Sequence, residues 1–118
     1  MSREMALIGR FGVPRAGREQ KATQVFMEVV GYLTQASMDG TCTEPQLFLA
    51  YDGSGGMILV TGQGDALLTM TESEAWRKIV AKSHMIVDGL SVELYFTGEE
   101  ILPSIQIGRE AATELGYA

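Results

Sequence analysis

Five side chains in this 118-residue sequence have types and spacings suited to chemistry on a small molecule: His84, Trp76, Arg10, Glu93 and Tyr95. His84 is the single histidine. Imidazole ordinarily titrates near neutrality, which makes it the acid–base candidate. Three roles are open to it: a base, a haem ligand, or a residue ending a helix, where it meets free carbonyls. Trp76 precedes it by eight residues, near the same helical stripe, and serves as a pocket wall or as a core residue. Arg10 interrupts an otherwise apolar strand, and Glu93 and Tyr95 alternate onto the polar side of another. An Arg–Glu pair there can anchor a ligand carboxylate, fix the register of a dimer, or lie at a solvent-exposed rim.

Other chemistries lack their parts. A zinc site needs three or four N/S ligands, whereas His84 with Asp88 gives at best two, so neither a metal nor a cofactor is expected. Cys42, in Thr-Cys-Thr-Glu-Pro, has no basic residue or second cysteine nearby in sequence to activate it. As the only cysteine it forms no internal disulfide and fits a reducing cytoplasm, the expected location. The run Asp52-Gly53-Ser54-Gly55-Gly56 lacks the lysine of a P-loop, and no helix opens directly after it. Nor does it form a Gly-x-Ser-x-Gly elbow. A net charge of −6, with nine scattered basic residues, leaves no footprint for nucleic acid or an anionic membrane surface. No apolar run approaches the roughly 18–20 residues of a membrane span, and the start, MSREMALIGRF, does not read as a secretory signal. Seven methionines suit pliable packing or a pocket for varied apolar ligands.

The elements that must position these residues follow from periodicity. Met5–Val13 alternates as a strand, with Met5, Leu7, Phe11 and Val13 on one side and Ala6, Ile8 and Arg10 on the other. Helical spacing runs from Arg18 to about Ser37, stopped by Met38-Asp39-Gly40. Strands Pro45–Tyr51 and Met57–Thr61 flank the Gly-rich run as a hairpin. Asp65–Met70 reads as a short turn. Thr71 and Glu74 have capping-box spacing for a helix ending about His84, with Trp76, Ile79, Val80 and Ser83 on one face. Leu90–Thr97 is the last strand. Ile101, Leu102, Ile105 and Ile107 either cover a sheet edge or pack on a partner, ahead of a helical tail at Arg109–Leu115. One domain, 1–118, is expected, with a core at 5–97 and an extension at 98–118.

Strand, helix, hairpin, helix, strand is the ferredoxin-like order, an α+β fold with an antiparallel βαββαβ sheet and helices on one face. Together with Gly-Gly-Met-Ile-Leu-Val at 55–60 and Glu-Ala-Trp at 74–76, residues 5–97 resemble the dimeric α+β barrel superfamily. That superfamily includes antibiotic-biosynthesis-type monooxygenases, stress-responsive barrel proteins and many uncharacterised bacterial proteins. The resemblance implies a homodimer whose open sheet faces meet. The middle strands fit, being apolar on both faces: Leu47, Leu49 and Met57, Leu59 against Phe48, Ala50 and Ile58, Val60. It also implies a pocket between sheet and helices, with Trp76 and His84 at positions like those that orient phenolic substrates in cofactor-free monooxygenases. This sequence departs from their pattern in containing no asparagine. The function implied is binding of a small apolar molecule, or cofactor-independent turnover of an aromatic or quinone-like compound. His84 would then be the acid–base, Arg10 or Tyr95 would orient the substrate, and Trp76 would form a wall. The alternative is a non-catalytic homodimeric module that recognises another protein through segment 99–118. A closed core around Trp76 and His84 rules out the enzyme, whereas a polar-lipped cavity there counts against the module.

Overall fold

The computed structural model describes residues 3–117. Residues 1, 2 and 118 of the expected domain, with the first two of the stretch weighed as a leader, lie outside them. In chain order the elements are β1 (Glu4–Phe11), α1 (Glu19–Met38), β2 (Gln46–Leu49), β3 (Gly56–Gln63), α2 (Gly64–Glu72), α3 (Glu74–Ile86) and β4 (Ser91–Phe96). A 3₁₀ turn at Gly98–Glu100 then leads into α4 (Ile101–Glu114). The sheet is antiparallel, ordered β2-β3-β1-β4, so the first and last strands are neighbours. This is the α+β ferredoxin-like architecture.

Register assigns the two faces. Leu7 lies opposite Val60 and Leu94, and Gly9 opposite Ile58 and Val92, so these side chains share the face turned to the helices. Leu7, Ile58 and Val60 form the core there with Leu33, Leu67 and Trp76. Burial of each such large side chain stabilises the fold by about 1.5–3 kcal/mol. The open face carries Ile8, Arg10, Met57, Leu59, Phe48, Glu93 and Tyr95. Leu47 therefore shares its face with Ile58, and Phe48 with Met57, the reverse of the cross-strand grouping read from the sequence. Burial of β2 on both sides is not met within one chain: Leu47, Phe48 and Leu49 are all exposed along this edge strand.

The stop of α1 falls where expected. Gly40, at φ 84°, donates to Ser37 O, and Thr41 N donates to Ala36 O, which satisfies two otherwise free carbonyls. Elsewhere the bounds move. β2 ends at Leu49 rather than Tyr51, because Ala50 N turns to Gly55 O across the hairpin loop. Asp52 accepts from Ser54 N at 3.0 Å at its tip, and hydrogen bonds from Ser54 hold this carboxyl below its ordinary pKa. The stretch read as a short turn is the nine-residue α2. Its helical run continues through Thr71, so the capping box is not formed. Ser73 is the cap instead, its Oγ accepting from Trp76 N at 3.2 Å.

The tail departs furthest from expectation. It is helical from Ile101, not from Arg109, and lies along no sheet edge; only the preceding 3₁₀ turn packs appreciably against it. Pro103 falls at the third helical position, where a backbone N–H has no intrahelical acceptor, so its missing donor loses no bond. Among the described residues, no helix is long and apolar enough to cross a membrane.

Candidate functional site

A cavity of about 280 Å³ lies between the helix-facing side of the sheet and helices α1 and α3. Gly9 forms part of its lining. It sits mid-way along β1, between neighbours Ile58 and Val92, where alternation calls for a core side chain. A Cβ built there meets no atom within 4 Å. Glycine weakens a strand interior, and its presence there often marks a place where something else must approach the backbone. Phe11 and Phe26 line it as well, edge to face with ring centroids 5.8 Å apart. Val29, Val80 and Val92 add to an aliphatic wall.

Trp76 forms another wall and is 6% exposed. Three contacts place it: the Ser73 cap at its backbone N–H, the Tyr32 ring 5.6 Å away, and burial of α3 against the core. Tyr32 is held in turn by a 3.3 Å hydrogen bond between its hydroxyl and Ser73 Oγ. The Trp76 indole N–H donates to no described residue, yet its nitrogen is not sealed from solvent. The polar side chains otherwise lining the cavity are Thr23 and Ser83. Both hydroxyls donate back to their own helices, Thr23 to Glu19 O at 3.3 Å and Ser83 to Ile79 O at 2.9 Å. No charged residue contributes to the lining.

His84 stands in the last turn of α3 and is exposed. It does not border the cavity. It borders a second, shallow depression that shares Trp76, Val80 and Val92 with it and adds Arg77 and Leu94. The His84 carbonyl accepts from Arg15 at 3.3 Å, and Met85 O accepts from Arg18 at 2.7 Å, which ties the β1–α1 loop over the end of α3.

The other three sequence candidates gather on the opposite side of the sheet. Arg10 Nη1 donates to the Tyr95 hydroxyl at 2.9 Å, its guanidinium lying 5.8 Å from that ring's centre. The Tyr95 hydroxyl donates to Glu93 Oε2 at 3.2 Å. Arg10 and Glu93 are thus linked through Tyr95, on the open face. The expected grouping of His84 and Trp76 with Arg10, Tyr95 and Glu93 around one substrate is not what the fold builds. The sheet itself stands between the two sets, because β1 residues of even and odd number point to opposite faces.

Cys42 is half-buried with Sγ 3.9 Å from Leu33 O, and burial pushes its thiol pKa up. Among the described residues, no three His, Cys, Asp or Glu side chains are grouped to hold a metal ion.

Sequence reading missed Gly9, whose signal is the missing beat in the Met5, Leu7, Phe11, Val13 alternation. It also missed Ser73 and Tyr32, which become legible only once the α1–α3 contact is known.

No protein-family profile matches the chain, and no curated protein matches it in sequence. Solved structures match in fold. An asparagine-to-alanine mutant of SnoaB, a cofactor-independent oxygenase from Streptomyces nogalater, is 16% identical with a TM-score of 0.65; the match covers 85% of this chain and 97% of that one. Rv0793 from Mycobacterium tuberculosis is 17% identical with a TM-score of 0.61, over 83% and 98% of the two chains. A hydroxynitrile lyase from Passiflora edulis is 14% identical with a TM-score of 0.62, over 84% and 97%. These likenesses bear out the ferredoxin-like fold resemblance. The unmatched share of this chain, about a sixth, is close in size to segment 98–118. Oxygenase and lyase on one fold also show that the fold does not choose the reaction.

Proposed function

We propose that this chain is a homodimeric small-molecule-binding protein that takes a small aromatic or quinone-like compound into the sheet–helix cavity and acts on it without metal or nucleotide. In this reading residues 5–97 are the functional domain and 98–118 an extension of it. The observation that carries the reading is the open space over Gly9: a central strand gives up a side chain where the core would otherwise close. The oxygenase activity of SnoaB on the same fold is consistent with it. Trp76 is the wall, and His84, across the shared depression, is the acid–base candidate. Arg10, Tyr95 and Glu93 face away from the cavity, so their place is at the proposed dimer contact rather than on the ligand. A second reading, an interaction module acting through segment 99–118, rests on the exposed apolar residues of α4.

Gly9→Leu tests the first reading. Leucine fills the space and removes a strand glycine, so the melting temperature should hold or rise. Aromatic and quinone probes that stabilise the native chain in a thermal-shift assay should lose that effect in the variant. A saturating probe at about 100 times its Kd stabilises by about 2.7 kcal/mol, well within reach of the assay. Undiminished shifts in Gly9→Leu would remove the cavity as the site.

A further inference from the structure

Apolar side chains stand uncovered at both edges of the sheet, along β2 at one and along the helix that follows β4 at the other. Resting on the homodimer proposed above, we infer that α4 of each copy packs in the notch between β2 and α1 of the other, so that the two chains exchange their last helices.

Register and helix phase build the notch. Leu47 and Leu49 lie opposite Ile58 and Gly56, which turns both to the helix side of the edge strand, yet Leu49 is 73% exposed. On α1, Glu28 and Tyr32 meet Lys82 and Trp76 of α3. At about 100° per residue, Met27, Val30 and Thr34 fall on the opposite flank. Thr23 and Phe26 of that flank line the cavity together with Leu49, which sets it beside β2. Met27 is 61% exposed, and no charge interrupts Met27, Val30 and Thr34, although the outer side of a surface helix is ordinarily polar.

The helix that fits there is α4. Ile101, Ile105, Gly108, Ala112 and Leu115 recur at the 4-3-4-3 spacing of a helix seam, with Glu110 and Glu114 on the other side. Gly108, in the middle of that seam, is a poor helix former with open space where a Cβ would stand. With Ala112 it lets the α4 backbone come close to bulky partners. Within its own chain α4 packs appreciably only on the 3₁₀ turn before it. A second copy brings the two surfaces together. A two-fold axis running along the strands, between two open faces, sets β4 of each copy over β2 of the other. Met5 pairs with both Phe96 and Gly62, and Thr43 N donates to Thr61 O just before β2. β4 therefore ends where β2 of the other copy begins. From there α4, about 21 Å long, runs along that β2 and antiparallel to the neighbouring α1. The contact is made twice, once in each direction, as a two-fold axis requires.

Centring the two stripes on each other sets Ala112 beside Met27 of the second copy. The test is a cycle of Met27→Glu and Ala112→Lys in the full chain, with the dimer Kd read by sedimentation equilibrium. Both new residues are good helix formers, so far-ultraviolet circular dichroism should not change. Each variant alone should raise Kd by about tenfold or more, and the double variant should stay below about tenfold because the new charges meet. Glu110→Gln, on the far side of α4, should leave Kd within about twofold. Effects of the first two that simply multiply, or a dimer indifferent to both, overturn the inference and leave the sheet-face dimer standing. A native monomer removes both. Cross-linking gives a second reading. In a Cys42→Ser background, chains with Met27→Cys and chains with Ala112→Cys are mixed and treated with a short bismaleimide. Mixed covalent dimers are expected. No mixed product, or coupling only between two Ala112→Cys chains, overturns the exchange, the latter by pairing α4 with α4.

Discussion

Cys42 shows how burial acts on a single group. Its Sγ lies near Leu33 O in a half-buried setting that disfavours the thiolate, so its pKa stands above the ordinary thiol value. Because the folded chain prefers the neutral thiol, that contribution to stability is fully present below the unfolded pKa. It is lost as pH rises through the folded one. Alkylation by iodoacetamide at about pH 8 should therefore be slower in the native chain than in urea, with the gap narrowing as pH rises; equal rates would contradict the assignment. The inert role expected for this residue agrees with its surroundings. Other residues were less legible. His84 and Trp76 stand out by type, but Gly9 matters through an absent side chain, which no chemical motif announces. Arg10, Glu93 and Tyr95 were rightly read as polar interruptions, and Arg10 and Glu93 do meet through a hydroxyl. Alternation within a strand gives two faces without saying which face of one strand adjoins which of the next. Only register decides that, and so Arg10 was joined to the wrong side of the sheet.

The helices that frame the cavity depend on where each one starts. Thr71-x-x-Glu74 satisfies the capping-box spacing, but Thr71 is still inside α2, its hydroxyl donating to Leu68 O at 2.9 Å. The backbone leaves the helix at Ser73, with φ −65° and ψ 148°, and Ser73 Oγ caps α3 while also meeting the Tyr32 hydroxyl. Two short helices sharing one junction residue give the same sequence signal as one helix with a ragged start, which is why the strand order was readable and this boundary was not. Ser73→Ala should cost about 1 kcal/mol, or about 4 °C in melting temperature, whereas Thr71→Ala should change it by less than about half as much. Calorimetric melting of the two variants decides which residue is the cap. Because Ser73 also fixes the start of α3, its loss should loosen the Trp76 wall and reduce the quality of the cavity. Pro103 is the converse case: it sits in a first turn where proline is tolerated, and α4 begins eight residues before the expected tail.

At the scale of the whole chain, two apolar surfaces lack cover. The radius of gyration is 16.6 Å, against about 13.5 Å for a compact chain of this length, and the long axis reaches 50 Å. α4 leaves from the end of β4, an edge strand, and stands largely clear of the remaining fold, with Ile101, Leu102, Ile105 and Ile107 exposed. Phe48 and Phe96 are exposed as well, on edge strands β2 and β4. An antiparallel sheet with helices on one side can leave its other face to water, but then that face is polar; here Ile8, Met57, Leu59 and Phe48 make much of it apolar. The proposed homodimer covers this face, and α4, starting at its rim, is placed to reach the second copy. Light scattering should give twice the chain mass for the native protein. Leu59→Arg, which sets a charge in the middle of the open face, should give a monomer with unchanged far-ultraviolet circular dichroism. Ile105→Asp should weaken the dimer by about tenfold or more if α4 packs on the partner. A native monomer would return the open face to solvent and remove the dimer from the proposal. A dimer indifferent to Ile105→Asp would instead free α4 for a different protein, the ground on which the interaction-module reading stands.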